Sequence, residues 1–204
     1  MRLTRMVAGI VMVGVHGLPA IAQSRHWVPS GTVAGADGVV SRSCVFDPDG
    51  DGPRPAMLVM AGNIGGVCGA LGRVVARDGE VWRDISAGLR LVESPERTFN
   101  VLLPYDPDGD GPGLPLLVLG GRGVGVLASP YLAAWDGEHW LPLGSGPSTE
   151  PTSACVHDFD GDGPDVPKLV ISGNFTSAGG ISVDQFAVWD GSTWTPLGAR
   201  PGTS

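Results

Sequence analysis

The sequence predicts an all-β protein made of repeated units of four antiparallel strands. An Asp-rich heptapeptide that ends in proline occurs three times, at residues 47–53, 106–112 and 158–164, and its copies begin 59 and 52 residues apart. Repeat periods of this size are typical of β-propellers and solenoids. Short apolar runs and glycine-rich turns follow each copy, and the 33 glycines and 18 prolines suit many short strands.

The composition excludes several classes of partner. The chain has 204 residues, of which 42% are hydrophobic, and this is enough for a domain with its own core. Its formal net charge is -8 and no basic residues cluster along it. Neither a nucleic acid nor an anionic membrane surface is therefore an expected partner.

Residues 1–22 have the layout of a secretory signal peptide. Two arginines precede an apolar run over residues 6–15, and an Ala-Ile-Ala sequence supplies a small-x-small cleavage site. The apolar run is too short to span a bilayer, and no second long apolar stretch follows it. We therefore expect a mature domain over residues 23–204 that is secreted, periplasmic or held at the cell surface.

Export permits disulfides, and three cysteines can form at most one intramolecular bridge. Cys44 and Cys155 occupy the same repeat position, where the second repeat has Leu103. That leucine favours a buried apolar role for the position, filled by free thiols, over a bridge between the two cysteines. Cys68 lies in a glycine-rich turn and is a candidate free thiol. The sequence leaves the disulfide state of all three open.

The third repeat shows the four predicted strands most clearly. They are the runs at residues 155–157, 168–173, 186–189 and 192–198. An Asp-Gly pair separates the last two runs, which carry Trp189 and Trp194. Asp-Gly between two such runs predicts a β-hairpin with a type I′ turn. A two-residue loop would place both tryptophans on one sheet face as diagonal neighbours.

The other two repeats follow the same order. The second keeps both tryptophans, as Trp135 and Trp140, whereas Arg77 replaces the first of them in the first repeat. Linkers rich in Pro, Ser and Glu separate the units. The predicted units lie at about residues 33–90, 91–147 and 148–200.

The repeat strings VxDxDGDGP, LxxSGNFTSAGG and FAVWDGSTWTPLG resemble those of secreted bacterial kelch-like β-propeller proteins of the planctomycete type. The resemblance covers roughly residues 26–200 and implies export and four-stranded blades, of which such rings contain roughly four to eight. It implies no activity, because propellers host many functions.

Three repeats are too few for a closed ring, so the expected fold is a three-bladed partial or open β-propeller. Residues 26–31 resemble a fourth strand that has no blade of its own. The chain is then either a truncated relative of a longer propeller or an open arc that a second copy completes as a homo-oligomer.

The heptapeptides are also candidate calcium loops, and calcium is the one cofactor that the sequence suggests. Asp at positions one, three and five with Gly at six matches the first half of an EF-hand-like loop. The second half is missing, because position nine is apolar and position twelve is leucine in all three copies. The alternative is a tight turn held by side-chain-to-backbone hydrogen bonds. The candidate ligands are Asp47, Asp49, Asp51, Asp106, Asp108, Asp110, Asp158, Asp160 and Asp162.

The sequence supports neither a nucleotide site nor a catalytic motif. Residues 120–125 lack the third glycine of a dinucleotide fingerprint and align with a repeat turn. No nucleophile elbow or zinc-ligand spacing occurs. His26 and His139 lie beside tryptophans at equivalent positions, which favours surface or packing roles, and His157 precedes an Asp loop. The repeated tryptophans favour packing between units over carbohydrate stacking.

The sequence therefore favours an exported, non-enzymatic binding or scaffold protein whose ligand is a protein or a glycan. Two alternatives stay open. One is a secreted carbohydrate-active enzyme of the kelch-like type, which needs titratable groups that converge on one face. The other is a gene fragment without an independent function.

Overall fold

A computed structural model describes residues 35–50, 52–93, 96–109, 111–161 and 163–197. The predicted signal peptide, the segment 26–31 and the third Asp of each heptapeptide lie outside these residues. Every regular element in the described ranges is a β-strand, so the predicted all-β class is confirmed. No helical segment within them has the length and apolarity that a bilayer crossing requires.

The first sheet follows the antiparallel path β1-β2-β4-β5, and the short strand β3 pairs with the end of β2. Alternate residues of β2 (Met57, Val59 and Ala61) are buried, as the two-residue period of a strand requires. The strands are β1 (Ala36–Phe46), β2 (Met57–Val67), β3 (Ala70–Leu71), β4 (Val74–Asp78) and β5 (Val81–Asp84).

The second sheet follows the order β7-β8-β10-β11, again antiparallel. Its two middle strands are apolar along nearly their whole length because both of their faces are covered. A separate ribbon pairs β6 with β9 beside this sheet. The strands are β6 (Arg90–Leu91), β7 (Val101–Tyr105), β8 (Leu116–Gly120), β9 (Val124–Gly125), β10 (Leu132–Trp135) and β11 (Trp140–Leu141).

The third sheet repeats this order as β12-β13-β16-β17, and a small ribbon pairs β14 with β15. The first strand of each sheet has one residue at the same register position, as the repeat alignment predicted. The cross-strand pairs at this position are Cys44 with Val59, Leu103 with Val118, and Cys155 with Val170. The strands are β12 (Pro151–His157), β13 (Lys168–Gly173), β14 (Ser177–Ala178), β15 (Ile181–Ser182), β16 (Phe186–Trp189) and β17 (Trp194–Pro196).

Two apolar cores join the sheets. Leu117 and Leu119 of β8 belong to the core between the first and second sheets, which also contains Phe46 and Trp140. Val118, which points the other way, belongs to the core between the second and third sheets. The middle sheet is therefore packed on both faces, and burying one leucine in such a core stabilises the fold by about 2 kcal/mol.

The first strands of the sheets lie side by side, since β7 contacts both β1 and β12. Side chains bridge them: Arg42 Nε donates to the Asn100 carbonyl at 2.9 Å, and Asn100 Nδ2 donates to the Pro151 carbonyl at 2.9 Å. The sheets follow one another in chain order, and the described part of the chain forms no closed ring.

The Asp-Gly pairs lie in hairpins between the last two long strands of each sheet, but the prediction of a type I′ turn was wrong. Trp189 and Trp194 are directly opposite in register, rather than diagonal, because four residues connect them. Gly191 has a φ of 98°, whereas Asp190 is not among the described residues with positive φ. A type I′ turn needs positive φ at both central positions.

The predicted sharing of one face by the tryptophan pairs is confirmed. The ring centroids of Trp189 and Trp194 lie 5.2 Å apart, and those of Trp135 and Trp140 lie 6.2 Å apart. These distances are within the range in which aromatic side chains attract each other.

Candidate functional site

The three heptapeptides form the same hydrogen-bonded turn. In the first copy, the backbone N of Asp49 donates to Asp47 Oδ1 at 3.4 Å, and the N of Gly52 donates to the Asp49 carbonyl at 3.0 Å. The first contact makes an Asx turn, in which a side-chain carboxylate replaces a backbone acceptor, and the second is a backbone β-turn bond. The first of these contacts recurs from Asp108 to Asp106 and from Asp160 to Asp158, at 3.2 Å in each case.

The second Asp of each loop also fixes the loop's exit. Asp49 Oδ2 accepts the backbone N–H of Arg54 at 3.0 Å. The matching contacts are Gly113 to Asp108 at 2.8 Å and Asp165 to Asp160 at 3.1 Å. The second Asp thus accepts the same backbone N–H group in all three loops. Turn geometry is therefore the first explanation of the repeated Asp pattern.

The glycines of the heptapeptide serve the same turn. Gly50, Gly109 and Gly161 have φ values of 61°, 63° and 65°, a left-handed conformation that favours glycine. At Gly52 a Cβ would collide with the Asp49 carboxylate, and the equivalent glycines of the other copies meet the same obstacle. The turn therefore requires both glycines of the Asp-Gly-Asp-Gly string.

Two carboxylate oxygens in these loops are buried without a partner among the described residues. They are Asp49 Oδ1 and Asp108 Oδ1, which occupy the same repeat position. The whole Asp49 side chain is 14% exposed and lies 3.8 Å from Arg54 Nε. An unpaired buried oxygen costs free energy, which a water molecule or a cation would reduce.

The loops of neighbouring repeats meet at one edge of the molecule. Asp47 and Asp106 line a cavity of about 430 Å³, and Asp49 and Asp106 line an adjoining one of about 500 Å³. Burial, together with the neighbouring Asp108 carboxylate, raises the pKa of Asp106. Carboxylates from different repeats thus share one surface.

The described residues contain no group of three His, Cys, Asp or Glu side chains that could hold a metal ion. Asp51, Asp110 and Asp162, the third candidate ligand of each loop, lie outside these residues. Carboxylate oxygens are suitable donors for calcium, but the first and second Asp of each loop already accept backbone N–H groups. Calcium binding at the nine candidate ligands stays a prediction.

The Asp of each long Asp-Gly turn is a second recurring acceptor. Asp190 Oδ1 accepts the backbone N–H groups of Ser192 at 2.9 Å and Thr193 at 2.7 Å, and the Thr193 hydroxyl donates to Oδ2 at 2.9 Å. Burial raises the pKa of Asp190, but these hydrogen bonds outweigh burial and lower it to about 2. Asp136 makes the same backbone contacts in the second sheet, at 2.8 and 2.6 Å, and its pKa is also lowered.

The second tryptophan of the repeat joins one sheet to the preceding one. Trp140 Nε1 donates to the Ile85 carbonyl at 2.5 Å, and Trp194 Nε1 donates to the Leu143 carbonyl at 2.8 Å. Ile85 and Leu143 follow the last strands of the first and second sheets at equivalent positions. A buried indole N–H needs an acceptor, and both tryptophans find it in the neighbouring repeat.

Tyr105 makes a further contact between sheets. Its hydroxyl donates to the Trp189 carbonyl at 3.4 Å across the core that joins the second and third sheets. Burial, with the charges of Asp190 and Asp106, raises the pKa of Tyr105 to about 12. The phenol therefore stays protonated, and its hydroxyl group remains able to donate to the Trp189 carbonyl.

Within the part of the chain that the structure describes, which excludes His26, the histidines and cysteines are not brought together. His139 is exposed and lies 4.0 Å from Asp136, while the exposed His157 ring packs edge-on against Phe159 at 4.7 Å. All three cysteines are free thiols. Burial raises the pKa of the half-buried Cys44 to about 11. Leu103 at the same register position is also half-buried against a core, whereas Cys155 is exposed, so the expected burial is met in part at Cys44 and Leu103 and not at Cys155.

The glycine-rich segment at residues 120–125 is the end of β8, a turn and β9, and not the opening of a helix. This matches the sequence alignment with a repeat turn. Sequence reasoning missed a cleft beside the same segment, which is lined by Arg90, Arg97 and Arg122. Arg122 is 25 residues beyond Arg97 in the sequence, so only the folded chain brings it to Arg90 and Arg97.

The fold and loops define a class of all-β protein with repeated four-stranded antiparallel sheets. Comparisons with protein-family models, curated proteins and solved structures give no match to the chain. The kelch-like resemblance therefore stays a prediction that rests on the repeat strings.

Proposed function

We propose that the chain is an exported β-propeller-like protein that binds or scaffolds a partner, and that its three sheets are consecutive blades. The observation that carries this proposal is the repeated contact between sheets. The indoles of Trp140 and Trp194 each donate to the same backbone position of the preceding sheet. The same hydrogen bond occurs at both junctions, and in each the later sheet supplies the donor. This repetition supports an array in which each sheet packs on the next with the same geometry.

The two ends of this array differ in a way that supports self-association. Leu197, the equivalent of Ile85 and Leu143, is 43% exposed, whereas those residues are 7% and 3% exposed. At the other end, the indole of the half-buried Trp82 makes no hydrogen bond within the described ranges. Among the described residues, one end therefore offers a partly exposed acceptor segment, and the other offers the equivalent indole donor.

Two copies joined head to tail satisfy both ends at once. Each interface would pair the third sheet of one chain with the first sheet of the other, and a two-fold axis would relate the two interfaces. Two copies of three sheets give a ring of six blades, within the roughly four to eight that propellers contain. Closure would also cover the exposed end of the third sheet, whereas the first sheet already buries Ile64, Val67 and Val75 in a small apolar cluster at the opposite end of the array.

A binding role, for a protein or a glycan, is supported by how the acidic loops use their charges. In each heptapeptide the first two Asp side chains hold the turn through backbone N–H groups. Loops held in this way form a fixed surface at one edge of the sheets, and binding surfaces of propellers and related folds are built from such loops.

The mass of the secreted chain in solution tests the proposal. We expect light scattering to give a discrete species of twice the chain mass, and Leu197→Asp to convert it to a monomer. Leu127→Asp is the matched control, because Leu127 is 80% exposed in a loop of the middle sheet. A wild-type monomer refutes the closed ring, and aggregation of the wild type supports the gene-fragment alternative.

A screen of the purified protein against glycan and surface-extract panels tests the binding role. Saturable binding without turnover supports it. Release of new reducing ends from a polysaccharide refutes a non-enzymatic role and establishes the carbohydrate-active alternative.

A further inference from the structure

A cleft of about 370 Å³ opens beside the β6–β9 ribbon. Arg90, Arg97 and Arg122 line it, against a single glutamate, Glu96. Its lining residues thus carry three positive charges and one negative charge, in a chain whose formal net charge is -8. A local reversal of the overall sign marks a place where an anion is attracted.

Arg97 is buried in the wall of this cleft and its charge is poorly compensated. The residue is 4% exposed. Nη1 donates to the Val92 carbonyl at 2.7 Å, Nη2 is 3.5 Å from Asn63 Oδ1, and Nε has no acceptor among the described residues. The carboxylate of Glu93 lies 3.7 Å from Nη1, and the Glu93 side chain is 79% exposed. A buried guanidinium with an unpaired N–H and a solvent-screened partner favours a further anion nearby.

The surroundings of Arg97 add to this effect. Burial and the neighbouring Arg73 both lower the pKa of Arg97, although Glu93 opposes them. A nearby anion would reverse part of this penalty, because it stabilises the charged form.

The other two arginines are accessible from solvent. Arg122 is 52% exposed and donates through Nε to Glu150 at 2.9 Å, with Glu96 at 3.7 Å from Nη1. Arg90 is exposed and makes no ion pair within the described residues. With Arg73, Glu93 and Glu150 included, the neighbourhood holds four arginines and three glutamates. Within this set, the positive excess falls from two charges in the cleft lining to one.

The rest of the cleft wall is apolar. Val92, Pro130 and the half-buried Tyr131 contribute to it. An aromatic ring beside apolar side chains packs well against the C–H face of a sugar ring. The guanidinium fork matches a carboxylate, which it can bind through two parallel hydrogen bonds.

We infer that this cleft binds a carboxylated sugar unit of an acidic polysaccharide. The carboxylate would lie among Arg90, Arg97 and Arg122, and the pyranose ring would pack on the wall that contains Tyr131. This inference rests on the proposed binding function and names the ligand class and the site. The cleft volume lies at the lower end of the range for small-molecule sites, which suits one sugar ring and its carboxylate.

Calorimetry with the secreted chain tests the site, with a trimer of galacturonic acid as the probe and its methyl ester as the neutral control. We expect the acid to bind and the ester, which lacks the charge, to bind at least about tenfold more weakly. Affinity for the acid should fall as salt rises, because the arginines are partly exposed. Equal affinity for acid and ester, or no binding of the acid, overturns the inference.

Arg90→Gln separates the cleft from general electrostatics. Arg90 is exposed and has no ion pair with any described residue, so the variant should fold like the wild type and bind the acid about five- to tenfold more weakly. Arg77→Gln is the matched control, because Arg77 is exposed on β4 and does not line the cleft. Equal losses in the two variants overturn the assignment. Arg97→Lys, checked by circular dichroism, should weaken binding as well, because it removes the fork.

Two further outcomes separate this inference from the proposed function. Binding of a poly-glutamate peptide in place of the saccharide overturns the ligand class. Cleavage of the trimer, seen as new reducing ends, refutes the non-enzymatic function while it supports the cleft as a saccharide site. A discrete dimer that does not bind the acid keeps the ring and rejects the cleft.

Discussion

Trp194→Phe should weaken the fold by much more than a similar change at the start of the array. Trp194 is 5% exposed and donates to the Leu143 carbonyl at 2.8 Å. Phenylalanine keeps much of the aromatic packing against Trp189 but removes the indole donor, and the Leu143 carbonyl then keeps only the Gly146 N–H, at 3.1 Å, as a donor. The lost hydrogen bond costs about 1 kcal/mol, and the smaller ring adds about 1 kcal/mol. We expect a total of about 2 kcal/mol.

Trp82→Phe is the matched control. Trp82 occupies the equivalent position in the first sheet, but it is half-buried and its indole makes no hydrogen bond among the described residues. We therefore expect this change to cost less than about 1 kcal/mol.

Urea unfolding followed by circular dichroism measures both variants, since the method does not depend on the tryptophan signal. At a slope of about 2 kcal/mol per molar urea, Trp194→Phe should lower the midpoint by about 1 M with the slope unchanged. Equal shifts for the two variants, or a shift below about 0.3 M for Trp194→Phe, would show that the contact between sheets contributes little.

Three further predictions use the loops and the thiols. Because hydrogen bonds depress the pKa of Asp190 to about 2, its contribution to stability is present above about pH 4 and is lost as the pH falls toward 2. Asp190→Ala should therefore lower the unfolding free energy by about 1 kcal/mol at pH 7 and by much less at pH 2, in urea titrations at each pH; a constant difference would refute the assignment. If the heptapeptides are turns alone, the melting temperature will be the same in calcium and in chelator, whereas a rise in calcium would establish a metal site, because a ligand of the native state must stabilise it. Cys68 and Cys155 are exposed and should be alkylated by iodoacetamide in the native protein at pH 8, whereas Cys44, with its pKa raised to about 11, should react only after unfolding, as mass spectrometry will show.

Much of the fold followed from local patterns. Alternating or continuous apolar runs beside glycine-rich turns identified the long strands of each sheet, because strand formation depends on these near neighbours. The register of the tryptophan pairs could not be predicted from these local patterns. Asp190 accepts two backbone N–H groups across its turn, and this holds a four-residue loop where the Asp-Gly pair alone predicted two residues.

Local sequence patterns likewise suggested one of the two candidate sites and missed the other. The Asx turns of the heptapeptides depend on residues a few positions apart, and the Asp and Gly spacing suggested them as the alternative to calcium. The arginine cleft depends on the pairing of β6 with β9, which places Arg90 near Arg122. No sequence pattern encodes that distance, so this site became visible in the folded chain only.

The contact between sheets has a consequence for how such a chain can change over evolutionary time. Each acceptor is a backbone carbonyl, so the hydrogen bond does not depend on the side chain of the residue that carries it, Ile85 in one case and Leu143 in the other, and this residue can vary among apolar types that fill the same buried space. The donor is a tryptophan side chain and has no such freedom. Substitutions should therefore accumulate unequally on the two sides of one junction, and a duplicated repeat can join its neighbour at once because the main chain it needs is already there.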